Sequence, residues 1–326
     1  MKGKFYVNCY LFILLMTLPV FLVPSTTARL TTRNTFDGTM NILNHPCSIP
    51  PYTINKLGRD FKISSCTPNF ATVASNKQGI LKAEDDDGDS YYYRGLADNW
   101  VDFGGFYWRI IRINGDGTLR LIYSGTKEDH SNEAAHIGTS LYSSVADNES
   151  LAAYNLSDIK KVVDTWYENN MAGKPFTSKL ADSGFCNDIT KLTEANFSVY
   201  GRLYTNKSPS LKCPDKDNNL LKVSTGKLKY PIGLLNFDEA SFAGGVIGSS
   251  SSFYLNIEKS YWTMTPYTAL RSRRPRLSMA GVSFSGTLRN NVAINNTFVV
   301  RPVINLKSDI TITSGDGTES NPYIIK

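Results

Sequence analysis

The densest group of side chains that could do chemistry is acidic and lies between residues 84 and 89. Carboxylates stand at Glu84, Asp85, Asp86, Asp87 and Asp89. Clustered carboxylate oxygens are ligands that Ca²⁺ prefers, but an EF-hand loop aligned on the glycine of this run would begin at an alanine. We therefore interpret the run as a solvated acidic turn before a strand. Whether the turn binds calcium stays open at this point.

Motifs for catalysis are absent from the sequence. His130 and His136 are six residues apart, which neither aligns two ligands on one helical face nor matches H-E-x-x-H. The segment Gly281–Gly286 contains serines without the G-x-S-x-G spacing. We predict no enzyme activity, no catalytic residue, no metal ligand and no cofactor. A glycosidase with a carboxylate pair leaves no local motif, so a secreted hydrolase of that kind is kept as an alternative.

An arginine-rich loop is the candidate for ligand binding. Four arginines stand within six residues, shortly after two aromatic residues. Guanidinium groups bind carboxylates and phosphates through paired donors, and an aromatic ring beside them could stack on a sugar. The alternative is a solvated basic loop without a ligand. The candidate ligand-binding residues are Trp262, Tyr267, Arg271, Arg273, Arg274 and Arg276.

The N-terminus is typical of a secretory signal peptide. Lys2 and Lys4 precede an apolar core, Cys9–Val23, and small residues lead up to Ala28. We predict cleavage after Ala28 and a secreted or cell-surface location. The alternative is an uncleaved anchor, because the apolar stretch approaches spanning length. Contact with a membrane is expected only through this segment, and only if it is not cleaved.

Four cysteines follow the signal peptide, and an even number in an exported chain favours disulfides. Three connectivities are possible. We favour the sequence-local pairs Cys47–Cys66 and Cys186–Cys213, because each closes a polar loop with little else to hold it. A metal site is the rival interpretation, but no C-x-x-C and no histidine at ligand spacing accompanies these cysteines.

The hydrophobic pattern predicts a β-rich domain built around one hairpin. The apolar runs Phe106–Ile113 and Thr118–Ser124 are joined by Asn114–Gly117, a composition that favours a tight reversal. Apolar residues on both faces predict that this hairpin is central and covered on each side. Late strands are expected at Trp262–Thr265 and Val299–Leu306.

Two helices and a closing hairpin complete the predicted elements. Apolar residues at helical spacing predict a helix over Asp158–Met171, and Ser157 is expected to cap its start. The pair Asn236 and Glu239 has the spacing of a capping box at the start of a second, short helix. Residues 310–313 and 323–325 are expected to form a terminal β-hairpin.

The net charge of the chain bears on whether nucleic acid is an expected partner. The chain has 326 residues, a formal net charge of +6 and 12% aromatic residues. Loss of the two signal-peptide lysines lowers that charge to +4. A mild charge without a concentrated basic face gives no reason to expect nucleic acid.

Several segments together carry a resemblance to known proteins. They are NWVDFGGFYWRIIRINGDGTLRLIYSG, YPIGLLNFDEASFAGG, YWTMTP, VRPVINLK and the ending GDGTESNPYIIK. Over residues 67–326 the chain resembles a group of exported surface proteins of Gram-positive gut-type bacteria. More distantly it is similar to the C-type-lectin and formylglycine-generating-enzyme-like superfamily. That resemblance implies an α+β fold that pairs strands from the two ends of the domain around a long loop region. The enzyme branch uses a late cysteine pair, and this chain has no cysteine after Cys213, so only the non-catalytic branch is implied.

The sequence thus predicts an α+β, mainly β, C-type-lectin-like mixed domain with few helices and long loops, preceded by a signal peptide. Its expected divisions are a signal peptide at 1–28, an irregular disulfide-stapled leader at 29–70, and the domain with its terminal hairpin at 71–326. The predicted function is surface recognition or adhesion through an extracellular glycan, an anionic wall polymer or a surface protein. A secreted hydrolase and a structural component of the cell envelope are the alternatives.

Overall fold

The computed structural model describes residues 52–74, 76–145, 149–270 and 276–325, which fold mainly as β-strands with few helices. The α+β, mainly β class is therefore confirmed. The strands are β1 (Tyr52–Lys56), β2 (Arg59–Ile63), β3 (Lys77–Asp85), β4 (Gly88–Gly95), β5 (Trp100–Phe103), β6 (Phe106–Ile113), β7 (Leu119–Thr126), β8 (Thr139–Leu141), β9 (Phe185–Cys186), β10 (Leu220–Leu221), β11 (Ile232–Leu234), β12 (Tyr261–Leu270), β13 (Arg276–Val282), β14 (Leu288–Ala293), β15 (Thr297–Val299), β16 (Pro302–Leu306), β17 (Ile312–Ser314) and β18 (Tyr323–Ile325). The α-helices are α1 (Asp158–Asn170), α2 (Lys216–Asn219) and α3 (Phe237–Ala243). Short 3-10 turns cover Glu149–Ala152, Tyr154–Leu156 and Pro175–Lys179, and a π-helical turn covers Tyr200–Thr205.

The largest sheet is organised around the predicted hairpin, β6 and β7. On one side of β6 the order continues through β7 and β16 to β11. On its other side β6 pairs with β4 near one end and with β5 near the other. The sheet then extends from β4 through β3 and β2 to β1, and from β5 through β18 to β17. Early strands thus pair with late ones, β7 with β16 and β5 with β18.

The hairpin is covered on both faces, as predicted. Trp108 and Ile110 are fully buried, and Ile111 and Ile113 are 2% and 1% exposed. The indole nitrogen of Trp108 donates a hydrogen bond to the carbonyl of Phe103 at 3.0 Å, so its one polar atom has a partner inside the core. All four apolar residues belong to one hydrophobic cluster that extends into the second sheet.

The second sheet has the order β14-β13-β12-β15-β8. The chain passes from it to the main sheet between β15 and β16, so the segment Val299–Leu306 is two strands rather than the one expected. Arg301 lies at this crossing and is 1% exposed. Its guanidinium donates to the carbonyl oxygens of Tyr123 at 3.0 and 3.2 Å and of Leu255 at 3.0 Å, which satisfies its buried charge and fixes the crossing.

Helices α1 and α3 begin where the sequence predicted, whereas the short α2 was not predicted. In α1, Ile159 and Val163 face the core. Ser157 precedes α1, but its hydroxyl donates to the carbonyl of Tyr154 at 2.6 Å instead of capping the helix. At the start of α3 the capping box is complete, because the side chain of Asn236 accepts from the backbone of Glu239 and the reverse bond is also made.

Part of the expected irregular leader is a regular hairpin. Strands β1 and β2 pair antiparallel, and β2 joins β3 at Ile63 and Ile80. The reversal between them uses Leu57 and Gly58 with φ of 56° and 71°, the left-handed conformation that two-residue hairpins need. Phe61 and Ile63 are buried while the residue between them is exposed. This alternation spans too few residues to stand out in a polar, proline-containing segment, so the prediction of an irregular 52–63 was wrong.

Cys186 and Cys213 form the predicted disulfide, with their Cα atoms 5.6 Å apart. The other predicted disulfide, Cys47–Cys66, stays a prediction because Cys47 lies outside the described residues. The signal peptide also lies outside them and stays a prediction. Within the described part of the chain, no helix is long and apolar enough to cross a membrane.

Trp108→Ala tests the central position of the hairpin. We expect the free energy of unfolding to fall by about 3–5 kcal/mol, because truncation of a fully buried tryptophan loses its contacts and leaves a cavity. The measurement is urea denaturation followed by circular dichroism. Leu96→Ala is the control, since Leu96 is 46% exposed and surface changes stay within about 0.5 kcal/mol. A loss below about 1 kcal/mol for Trp108→Ala would show that the hairpin is peripheral.

Candidate functional site

The acidic turn between β3 and β4 is held against the loop of the central hairpin. The carboxylate of Asp85 accepts hydrogen bonds from the backbone N–H of Gly115 at 2.8 Å and of Asp87 at 2.9 Å. A Cβ atom at Gly115 would lie 2.3 Å from the Asp85 Oδ1 atom and 2.6 Å from the nitrogen of Gly88. Only glycine therefore allows the two turns to approach this closely.

A buried group of charges lies behind these turns. The Glu239 side chain has no exposed surface, and its Oε1 atom is 2.5 Å from the Arg120 Nε atom and 3.4 Å from the Arg112 Nε atom. Arg112 also reaches Asp85, with Nη1 3.0 Å from Oδ2. Two arginines and two carboxylates thus balance each other, which buried charges require. We call Asp85, Arg112, Arg120 and Glu239 the buried ion-pair network.

Arg120 connects this network to a third segment of the chain. Its Nη1 atom donates to the carbonyl of Gly184 and to the side chain of Asn305, each at 3.3 Å. Its guanidinium lies over the Phe185 ring, 4.7 Å from the centroid. Burial lowers the pKa of Arg120, and the carboxylate of Glu239 offsets part of that shift.

The segment that contains Cys213 forms the opposite wall. The backbone N–H of Cys213 donates to Asp86 at 2.9 Å, and the ammonium of Lys216 lies 3.6 Å from the same carboxylate. Farther out, Lys212 pairs with Glu84 at 2.9 Å. The disulfide to Cys186 fixes this wall to the segment that Arg120 contacts.

A cleft with a volume of about 210 Å³ lies between the walls. Its lining is mainly polar and carries both signs of charge. We call it the charged cleft, and its lining residues are Asp85, Asp86, Asp87, Arg112, Asn114, Asp116, Arg120, Ser183, Gly184, Cys186, Leu211, Cys213, Lys216, Leu220, Lys222 and Asn236.

The acidic turn is engaged by protein groups rather than arranged around an ion. Asp85 accepts from Gly115 and pairs with Arg112, while Asp86 accepts from Cys213. These contacts occupy carboxylate oxygens that a bound Ca²⁺ would need. In the part of the chain that the structure describes, no group of three or more histidine, cysteine, aspartate or glutamate residues is placed to hold a metal ion.

The structure does not bring the two aromatic candidates to the surface. Trp262 and Tyr267 are 0% and 1% exposed, because residues 261–269 of β12 are all buried and both faces of the strand are covered. Their expected stacking on a sugar is therefore corrected, since a ligand could reach neither ring without opening the fold. The ring of Tyr267 packs instead against Tyr200, which contacts the 48% exposed Tyr204.

Ligand binding by the arginine-rich loop stays a prediction. Arg271, Arg273 and Arg274 lie outside the described residues. Arg276 is the first residue of β13, and only its backbone is described.

Sequence reasoning missed the buried ion-pair network. Glu239 was recognised only as half of a capping box, although its side chain serves the box and the two arginines at once. Arg112 and Arg120 lie in otherwise apolar strands. A charged residue inside such a strand is the available signal, because buried charges occur with partners.

Comparisons with known proteins add one partial match. A family model described as "NP1-WLL: Non-capsid protein NP1" matches residues 81–206. This is less than half of the chain, and it leaves out Cys213, Lys222 and Glu239, so it carries no argument about the charged cleft. No curated protein and no solved structure matches the chain significantly.

Glu239→Gln tests whether the buried ion-pair network holds this end of the fold. The free energy of unfolding should fall by about 3–5 kcal/mol, because removal of this charge leaves the buried Arg120 without a carboxylate partner. Glu133→Gln is the matched control, since Glu133 is 80% exposed in its pair with Lys259 and exposed pairs contribute at most about 1 kcal/mol. Equal effects of the two variants in urea denaturation would contradict the importance of the network.

Proposed function

We propose that the chain is an exported cell-surface recognition or adhesion protein that binds an extracellular ligand in the charged cleft and does no chemistry on it. The observation that carries this proposal is the cleft itself. Two turns, a disulfide-bonded wall and a buried ion-pair network form it, and its lining is mainly polar. A polar cleft that is already ordered binds its ligand without the entropic cost of ordering the protein on binding.

Location outside the cytoplasm is supported by the disulfide in the cleft wall. Cys186 and Cys213 both line the cleft, so its shape depends on their bond. Disulfides persist in oxidising compartments and are rare in the cytosol. A site that needs this bond is suited to a secreted or cell-surface protein.

Binding is favoured over hydrolysis by the state of the buried carboxylates. A glycosidase needs one carboxyl group that gives a proton to the leaving oxygen and a second that attacks or activates water. Asp85 and Glu239 are each held by arginines. Both carboxylates are therefore engaged within the protein, which gives recognition more support than a hydrolase that uses this pair.

A glycan or wall polymer is the ligand class that the lining favours. Carboxylate and amide oxygens accept from sugar hydroxyls, and guanidinium and ammonium groups donate to them. At about 210 Å³ the cleft is smaller than the roughly 300–1,000 Å³ typical of sites for drug-sized molecules. It would therefore hold one sugar unit or a chain end.

The pairing of early with late strands supports the proposed relation to the C-type-lectin-like superfamily.

A glycan and wall-polymer array on the signal-free protein tests this proposal. Ser183 lines the cleft and is half-buried, with its hydroxyl 2.9 Å from that of Thr118. Ser183→Tyr should fill the cleft and abolish array binding, whereas Ser183→Ala removes the hydroxyl contact and leaves the cleft open. Both variants should keep a melting temperature close to that of the unchanged protein.

A variant of the arginine-rich loop distinguishes that loop from the charged cleft as the ligand site. Replacement of Arg271, Arg273, Arg274 and Arg276 by serine removes the charges of the loop that the sequence favoured. Binding that survives Ser183→Tyr but is lost in this fourfold variant would contradict the cleft and place the ligand on the loop. Binding lost in neither variant would contradict both sites.

A further inference from the structure

Two carboxylates at the rim of the charged cleft remain free after the protein's own contacts are assigned. Asp87 and Asp116 are exposed, and neither forms an ion pair with any residue that the structure describes. Asp116 uses one oxygen to accept from the backbone and hydroxyl of Thr118, which leaves its second oxygen available. The turns that carry them touch, because a Cβ atom at Gly115 would lie 2.8 Å from the carbonyl carbon of Asp87. They form one acidic rim.

One cation of the lining is also free. Lys222 is half-buried, and its ammonium group makes no ion pair within the described ranges. Its aliphatic stem lies against Gly184, where a Cβ atom would come 2.9 Å from the Lys222 Cγ atom. Gly184 accepts from Arg120 and lines the cleft. The stem is therefore fixed by packing while the charged end has no partner in the protein.

From these groups we propose that the charged cleft recognises a zwitterionic sugar, one that carries both an ammonium group and a carboxylate. The ammonium would donate to the rim carboxylates of Asp87 and Asp116. The carboxylate would pair with Lys222. This inference rests on the proposed function and names the ligand class of the same site.

A ligand with one sign of charge fits the cleft less well. A simple cation would meet Lys222 and the nearby arginines, and a simple anion would meet the acidic turn. Like charges at short range are repulsive, and the repulsion is strongest where water is partly excluded. A sugar with both charges satisfies the free carboxylates and the free ammonium group without that conflict.

Four related sugars test the inference by isothermal titration calorimetry on the signal-free protein. Muramic acid carries both charges, glucosamine only the ammonium, N-acetylmuramic acid only the carboxylate, and N-acetylglucosamine neither. Muramic acid should bind at least about tenfold more tightly than each of the other three, because each charge has its own partner. Equal affinities within the series, or no binding of muramic acid at millimolar concentration, would overturn the inference.

Substitutions assign each charge to its partner. Lys222→Met should reduce the affinity for muramic acid to that for glucosamine, while Lys227→Met, in the same loop and outside the lining, should change nothing. The double variant Asp87→Asn with Asp116→Asn should reduce it to that for N-acetylmuramic acid. Asp89→Asn is its control, since Asp89 lies close by on β4, pairs with Lys82 and does not line the cleft. Unchanged discrimination in the Lys222→Met or the double aspartate variant would also overturn the inference.

Different outcomes would contradict the zwitterionic preference and the proposed ligand site. If Ser183→Tyr abolishes array binding but the four sugars bind alike, the cleft is the ligand site and the zwitterionic preference is wrong. If array binding ignores Ser183→Tyr, the proposed site itself is wrong.

Discussion

The buried position of Glu239 between two arginines is the constraint on which the rest of this structure depends. Its carboxylate joins the start of α3 to Arg112 on β6 and Arg120 on β7, the two strands at the centre of the main sheet. The charges cannot be left unpaired in the interior, because desolvation costs several kcal/mol for each ion. The helix and the hairpin must therefore assemble together.

The C-terminal end of α3 is held by hydrogen bonds from a buried arginine. All seven of its residues are buried. Arg94 donates to the carbonyls of Ser241 and Phe242 at 2.8 and 2.9 Å, at the end where a helix presents unpaired carbonyls. Burial lowers the pKa of Arg94 to about 10. A short, fully enclosed helix is thus held by one cation, Arg94, at its C-terminal end and by the paired carboxylate of Glu239 near its start.

The same contacts determine the form of the charged cleft. Asp85 holds the hairpin loop through Gly115 and belongs to the ion-pair network through Arg112. The neighbouring Asp86 reaches the wall of Cys213. Because adjacent residues of one turn serve the interior and the opposite wall, the stability of the core and the shape of the cleft are linked. The groups left over, at the rim and on Lys222, are the ones available to a ligand.

Local patterns predicted much of this fold. The central hairpin, the helix after Ser157 and the box at Asn236 each depend on residues close in sequence, so spacing alone indicates them. The cleft depends on contacts between distant residues, such as Arg120 with Glu239, which lie 119 positions apart. No local period records such a pairing. The aromatic candidates failed for a related reason, because Trp262 and Tyr267 are typical of binding surfaces and of cores alike.

Hydrogen exchange measured by mass spectrometry, with and without muramic acid, tests the central claim most directly. The backbone N–H groups of Gly115, Asp87 and Cys213 are bound to the two aspartates that form the walls of the cleft. A ligand that spans the cleft should slow exchange in peptides covering residues 85–88, 114–118 and 211–222, and leave the remaining peptides unchanged. Protection confined to peptides covering residues 270–276, with none at the three cleft segments, would contradict the account.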